Sequence, residues 1–222
     1  MVDARKILFV TCVNDDELYT MCVQHIRRLR VPEGYTLETL PIRGAKSMAA
    51  AYNMALQHNA KYKIYLHQDT FIVNPDFLQD TLAVFQEDDS LGLLGMIGCK
   101  VAPPSGTWWE GEKLIGKMIG YHNKTYLLFK FGQIRAPIEA VQSVDGFMMA
   151  TQYDLPWRDD LFTGFHFYDA SQCAEFIKKG YTIGIPKQCE PWCLHVNRDG
   201  HTIDETAYNY YRHVYMQHYT QK

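Results

Sequence analysis

The side chains able to do chemistry fall into a few short clusters. His67-Gln68-Asp69 ends the apolar run 63–66. Ligands of open α/β sheets bind beyond the carboxyl ends of strands. A carboxylate placed there can hold a hard divalent cation, which in turn grips a diphosphate, although Asp at a strand end is also an ordinary turn former. Gly164-Phe165-His166-Phe167-Tyr168-Asp169 leads into a helical pattern, where Asp169 is either a reactive carboxylate or the helix N-cap. His195, in Cys193-Leu194-His195-Val196, is either a ligand or a satisfied core histidine. Cys189, Cys193, His195 and His201 have zinc-binding side chains, but Cys189 lies across a proline turn and the spacing suits a tetrahedral site poorly.

Composition limits what these clusters can serve. With 222 residues, 47% of them hydrophobic and 14% aromatic, the chain suits one packed core. A net charge of −3 provides no general basic field for nucleic acid or anionic lipid. An anionic ligand must then be held locally, by a metal, a helix N-terminus or a few placed cations. No apolar run approaches the ~20 residues of a membrane span. Arg5-Lys6 before Ile7-Leu8-Phe9-Val10 superficially resembles a leader, but it runs into Asn14-Asp15-Asp16-Glu17 without a small-residue cleavage site. The stretch reads as a first strand of a cytoplasmic protein whose six cysteines are reduced core residues.

Strands and helices must alternate to carry the clusters. Residues 6–13 read as a buried strand, followed by a helix capped by Asn14 or Asp15 with Leu18, Met21, Cys22, Ile26 and Leu29 at helical spacing. Residues 36–42 form a second strand, 47–57 a small-residue helix and 63–66 a third strand. Asn74 caps and Pro75 opens a helix burying Phe77, Leu78, Leu82 and Phe85. Residues 91–99 read as one buried strand, 117–131 as a hairpin, 141–153 as a strand broken at Asp145-Gly146. Residues 169–179 read as a helix, 181–185 as a strand and 204–215 as a terminal helix. This alternation predicts an α/β fold, a mostly parallel central sheet with helices on both faces.

The ordered set resembles the family-two glycosyltransferases of GT-A fold, over roughly residues 6–196. It is most similar to a bacterial branch that writes His-Gln-Asp in place of Asp-Xaa-Asp. The motifs are Asn14-Asp15 after the first strand, Asn53 in the small-residue helix, the triplet at Asp69, Asp145-Gly146-Phe147, Asp169 at a helix start, Gly180-Tyr181 and the late His195. The resemblance implies one domain over 1–222, with a nucleotide-binding half (1–100), an acceptor and catalytic half (101–200) and a C-terminal helix (201–222). It implies Thr11, Val13, Asn14, Asn53, His67, Asp69, Asp145 and Gly146 near a nucleotide-sugar donor. Asp69, His195 and His67 are implied to bind Mn²⁺ or Mg²⁺, and Asp169 to be the catalytic base, with Tyr168 where the family has a glutamate. His67 removes a negative charge from the metal site and favours an ion that accepts imidazole. Pro41-Ile42-Arg43 lacks the aspartate that often reads uracil.

The implied activity is inverting, metal-dependent, hexosyltransferase-type transfer from a nucleotide-sugar to a carbohydrate or other hydroxyl. Trp108, Trp109 and Tyr153 are candidate stacking surfaces for a sugar, or ordinary core aromatics. Three alternatives stand beside it: a sugar-binding protein of the same fold without turnover, a sugar nucleotidyltransferase and a zinc-stabilised binding module. The nucleotidyltransferase needs a Gly-rich, basic loop after the first strand, where this chain has an acidic run.

Overall fold

Ile7 and Phe9 point to one face of the first strand, Leu8 and Val10 to the other, and all four are buried. A strand apolar on both faces must be central, with helices covering each side. The computed structural model describes residues 1–122, 125–196 and 204–220. In chain order the elements are β1 (Asp3–Val13), α1 (Asp16–Arg27), β2 (Thr36–Arg43), α2 (Met48–Asn53) and β3 (Ala60–His67). Then come β4 (Thr70–Ile72), α3 (Phe77–Glu87), β5 (Leu91–Gly95) and β6 (Ile97–Val101). The middle holds β7 (Glu112–His122), β8 (Thr125–Phe131), β9 (Ile138–Val141), β10 (Ser143–Val144) and β11 (Met148–Thr151). Last are α4 (Tyr168–Lys178), β12 (Thr182–Pro186), β13 (Cys193–His195) and α5 (Glu205–Tyr219).

The main sheet has the order β2-β1-β3-β11-β5-β12-β9. Only β11 and β9 run against the other five strands, as the predicted mostly parallel sheet requires. Helices α1 and α3 pack on the Ile7 and Phe9 face, α2 and α4 on the Leu8 and Val10 face. Asp15 caps α1, its carboxylate accepting from the N–H of Glu17 and Leu18. Helix α3 starts later than expected, because Asn74 Oδ1 accepts from the N–H of Asp76 and holds a turn there.

A second sheet, of order β10-β6-β7-β13-β4 with β8 on β7, goes beyond the predicted 117–131 hairpin. It splits two runs that read as single elements. Residues 91–99 divide at Met96, β5 joining the main sheet and β6 the second. Residues 141–153 divide at Asp145-Gly146, β10 lying in the second sheet and β11 in the main one. Glycine permits the crossing: a Cβ on Gly98 would sit 2.0 Å from the Ser143 carbonyl oxygen. Among the described residues no helix is long and apolar enough to cross a membrane.

Lys63, in the middle of β3, is 1% exposed. Its ammonium donates to the Ala60 carbonyl at 2.9 Å and to the two Asp154 oxygens at 2.7 and 2.8 Å. Removing one partner of such a pair leaves an uncompensated charge, while an apolar replacement of the buried member removes the need for compensation. Asp154→Ala should therefore lower the urea midpoint more than Lys63→Met, a comparison equilibrium unfolding decides.

Candidate active site

The site begins where β3 stops. The His67 N–H donates to the Phe147 carbonyl at 3.0 Å, fixing the strand end against the segment that leads into β11. Gln68 then turns back. Its Oε1 accepts the N–H of Asn14 and of Asp15, each at 2.9 Å, and its Nε2 donates to Asn14 Oδ1. Asp69 leads into β4, which pairs antiparallel with β13 so that Thr70 faces His195. The Val196 N–H donates to the Asp69 carbonyl at 2.9 Å and locks that register. His195 Nε2 consequently lies 3.3 Å from Asp69 Oδ1. The His195 ring stacks on Phe147, with centroids 5.3 Å apart.

One ligand atom each from His67, Asp69 and His195 lies within 4.8 Å of the others. The Asp69 and His195 side chains remain 16% and 20% exposed, and His195 lines the cleft. A carboxylate with two imidazoles suits a cation that accepts nitrogen as well as oxygen, such as Mn²⁺, so the donor set fits a divalent metal. Burial would raise Asp69, but the hydrogen bond and charge of His195, with the charge of His67, hold it down at about 2. His195 is pushed up: burial disfavours its cation, and the bond to Asp69 outweighs that. His67 is lowered by burial and by His195, against the pull of Asp69 and Asp145. Its Nε2 lies 2.5 Å from the Tyr168 hydroxyl, a partner that orients the ring.

Asp145 and Asp169 occupy the other side. Asp145 Oδ2 accepts from Trp108 Nε1 at 2.9 Å, and its Oδ1 from the Phe147 N–H at 2.9 Å. Gly146 donates its N–H to Asp169 Oδ2 at 3.0 Å, and a Cβ there would meet the Tyr168 hydroxyl at 2.3 Å. Glycine is what lets α4 come this close. Asp169 is not the helix cap: the N-cap position falls on Phe167, at φ 60° and with no side-chain cap bond, and Asp169 lies inside the first turn. Burial and the neighbouring Asp145 carboxylate push Asp169 up to about 7.

One cleft of about 250 Å³ is lined by His67, Asp145, Gly146, Asp169 and His195 together with Trp108 and Trp109. Among the expected donor residues, Thr11 and Val13 are buried at the end of β1, and Asn14 is bound to Gln68. Asn53 is committed elsewhere, its amide bonded to both the N–H and the carbonyl of Trp157. Tyr153 stacks on Tyr181 outside the cleft lining. Cys193 is fully buried and Cys189 exposed; among the described residues the metal-capable group is the His67, Asp69 and His195 trio, without cysteine. The proposed fourth zinc ligand, His201, lies outside the described residues. Gln68 was missed as a site residue. A glutamine that clamps a loop 54 positions away leaves no local pattern.

The model of a glycosyltransferase-like family matches residues 8–219. The chain belongs to this family. Solved structures of similar fold include the mannosyltransferase PcManGT from Pyrobaculum calidifontis in complex with GDP-Man and Mn²⁺. That match has a TM-score of 0.56 at 14% identity and covers 88% of this chain and 58% of the other. S. aureus TarS 1–349 in complex with UDP matches with a TM-score of 0.51 at 12% identity, covering 86% of this chain and 60% of that fragment. The same TarS fragment with UDP-GlcNAc matches with 0.51 at 13% identity, covering 88% and 59%. The chain thus spans about three fifths of the length of these structures and has the GT-A fold. No curated protein matches it.

The raised Asp169 has a consequence for the stability of this family member. An unfolded aspartate releases its proton near 3.8, whereas the folded one holds it to about 7. Between those values the native state binds more protons, so Asp169 subtracts stability as pH rises. Asp169→Asn, which can still accept from Gly146, should melt several degrees above wild type at pH 8 and close to it at pH 4. Melting curves in EDTA check this; equal melting temperatures at pH 8 would contradict it.

Proposed function

We propose that the chain transfers a sugar from a nucleotide-sugar donor to an acceptor hydroxyl with inversion, supported by a divalent metal. The observation that carries this reading is one cleft lined by His67, His195 and an Asp169 carboxylate with a raised pKa, where the two histidines form a donor set with the adjacent Asp69. The PcManGT complex with GDP-Man and Mn²⁺, similar in fold, supports both donor class and metal. On this reading the half 1–100 supplies the donor side and the half 101–200 the base, within one domain over 1–222. The free cysteines suit a reducing compartment such as the cytoplasm.

His67, Asp69 and His195 would hold the ion. Once bound, it supplies positive charge to offset that developing on the departing diphosphate. Asp69 stays ionised across the neutral range, so it presents a full negative charge there. The lowered His67 presents a neutral ring, and donation of Nε2–H to Tyr168 leaves its Nδ1 lone pair free. Asp169 takes the acceptor hydroxyl proton as that oxygen bonds to the anomeric carbon and the bond from that carbon to the diphosphate oxygen breaks. The Gly146 N–H fixes one Asp169 oxygen, so the base is held in place rather than strengthened alone. Thr11, Val13 and Asn14, at the carboxyl end of β1, lie where the nucleotide of a donor in an open sheet is expected.

Asp69→Ala should abolish Mn²⁺-dependent binding of UDP or GDP by calorimetry while the far-UV spectrum is unchanged; equal affinity would remove Asp69 from the site. His195→Ala should weaken that binding less, because a neutral nitrogen offers a hard cation less than a carboxylate. Asp169→Asn should preserve diphosphate binding and lower turnover by roughly two to four orders of magnitude. In wild type kcat/KM should rise with pH as Asp169 deprotonates, with a midpoint below the metal-free value of about 7 once the cation is bound, and the Asn variant should lose that limb. Binding of a nucleotide-sugar with no turnover on any acceptor would instead favour a sugar-binding protein of the same fold.

A further inference from the structure

The cleft has a second wall that the donor site leaves unused. Trp109, Phe165, His166 and Tyr208 line it together with Asp169. Trp109 is 48% and Phe165 49% exposed, unusual for large rings beside a buried carboxylate. Trp109 is not loose. It meets Trp108 edge-on at 5.8 Å and stacks on Tyr208 at 6.0 Å with 26° between the planes. Tyr208 comes from α5, and its hydroxyl lies 2.8 Å from Thr107 Oγ1, so the terminal helix pins the segment that carries Trp109. Trp108 in turn gives its indole N–H to Asp145. The open ring faces are thus held rigidly to the residues around Asp169.

We propose that this wall is the acceptor subsite and that the acceptor is a neutral saccharide, one ring of which stacks on Trp109 and Phe165 with a hydroxyl directed to Asp169. The inference rests on the transferase reading for the role of Asp169. The chemistry of the lining selects the ligand. A sugar ring presents an apolar C–H face for a π-surface and hydroxyls at its edge. The wall of Trp109, Phe165, His166 and Tyr208 carries no Lys or Arg and stands beside Asp145 and Asp169, so an anionic acceptor meets no Lys or Arg counter-charge on it. The exposed faces form an open platform instead of the closed cage suited to a cationic headgroup.

The test is saturation-transfer NMR on the whole chain with a panel of neutral methyl glycosides, repeated with UDP or GDP and Mn²⁺, and with choline as the cationic probe. At least one glycoside should receive saturation on its C–H face, and Trp109→Ala should weaken its binding roughly tenfold. Phe165→Ala should weaken it as well, and Asp69→Ala should leave it intact. Diphosphate and Mn²⁺ affinity should be the same in Trp109→Ala as in wild type. Loss of diphosphate affinity in Trp109→Ala would assign the wall to the donor and overturn the proposal. Choline binding in place of every glycoside would also overturn it, as would no glycoside binding at all. Failure of the transferase reading shows separately, as wild type that binds no diphosphate with Mn²⁺.

Discussion

The contact between Asp69 and His195 joins parts of the chain that are 126 positions apart, and the rest of the site is arranged around its charge. Asp69 is ionised at any physiological pH, in surroundings where burial alone would have neutralised it. His195 supplies the compensation, its pKa raised by the same bond. Asp145 and Asp169 add two further carboxyls nearby, without a Lys or Arg among the residues lining the cleft. Such a group of acids cannot all ionise without cationic company. Asp169 holds its proton to about 7, first because it is buried and then because the Asp145 carboxylate is beside it.

That contact exists only because the chain changes sheets. β3 ends in the main sheet, β4 begins in the second, and Gln68 and Asp69 occupy the step between them. Asp145 and Gly146 occupy a step in the opposite direction, from β10 to β11. Residues at such steps lie outside the strands, so their side chains can turn toward the cleft. The Phe147 carbonyl, which accepts from both the His67 N–H and the Thr70 hydroxyl, binds the two steps together. Displacing either one would move both halves of the site.

The main sheet was legible because its signals are local. Strands β1, β2, β3 and β12 and helices α1, α3, α4 and α5 follow from apolar periodicity and turn residues, within a few residues at their ends. The second sheet was hardly legible. β4 and β13 have three residues each and β10 has two, too few for any period to register. The division at Met96 was hidden for another reason. Residues 91–99 are buried throughout, and an unbroken apolar run is silent about which sheet each part joins. Within the site, residue types marked His67, Asp69, Asp169 and His195, but their meeting depends on a pairing register that no single segment contains. Asn53 shows the converse. A polar residue in a small-residue helix looked available, and its amide is consumed in holding Trp157.

The departure at His67 follows from the same charge balance. An acid at position 67 would place another carboxylate beside Asp69, with Asp145 also within electrostatic reach. A neutral imidazole keeps a ligand at that position without adding to the repulsion. It also needs a partner for its second nitrogen, and Tyr168 provides one from the start of α4, where a glutamate would restore the charge that His67 removes. Histidine at 67 and tyrosine at 168 therefore read as one coupled change. The tyrosine fits only because Gly146 has no Cβ to occupy the place of its hydroxyl. Substituting one member alone would leave either an unpartnered imidazole or an excess of buried negative charge.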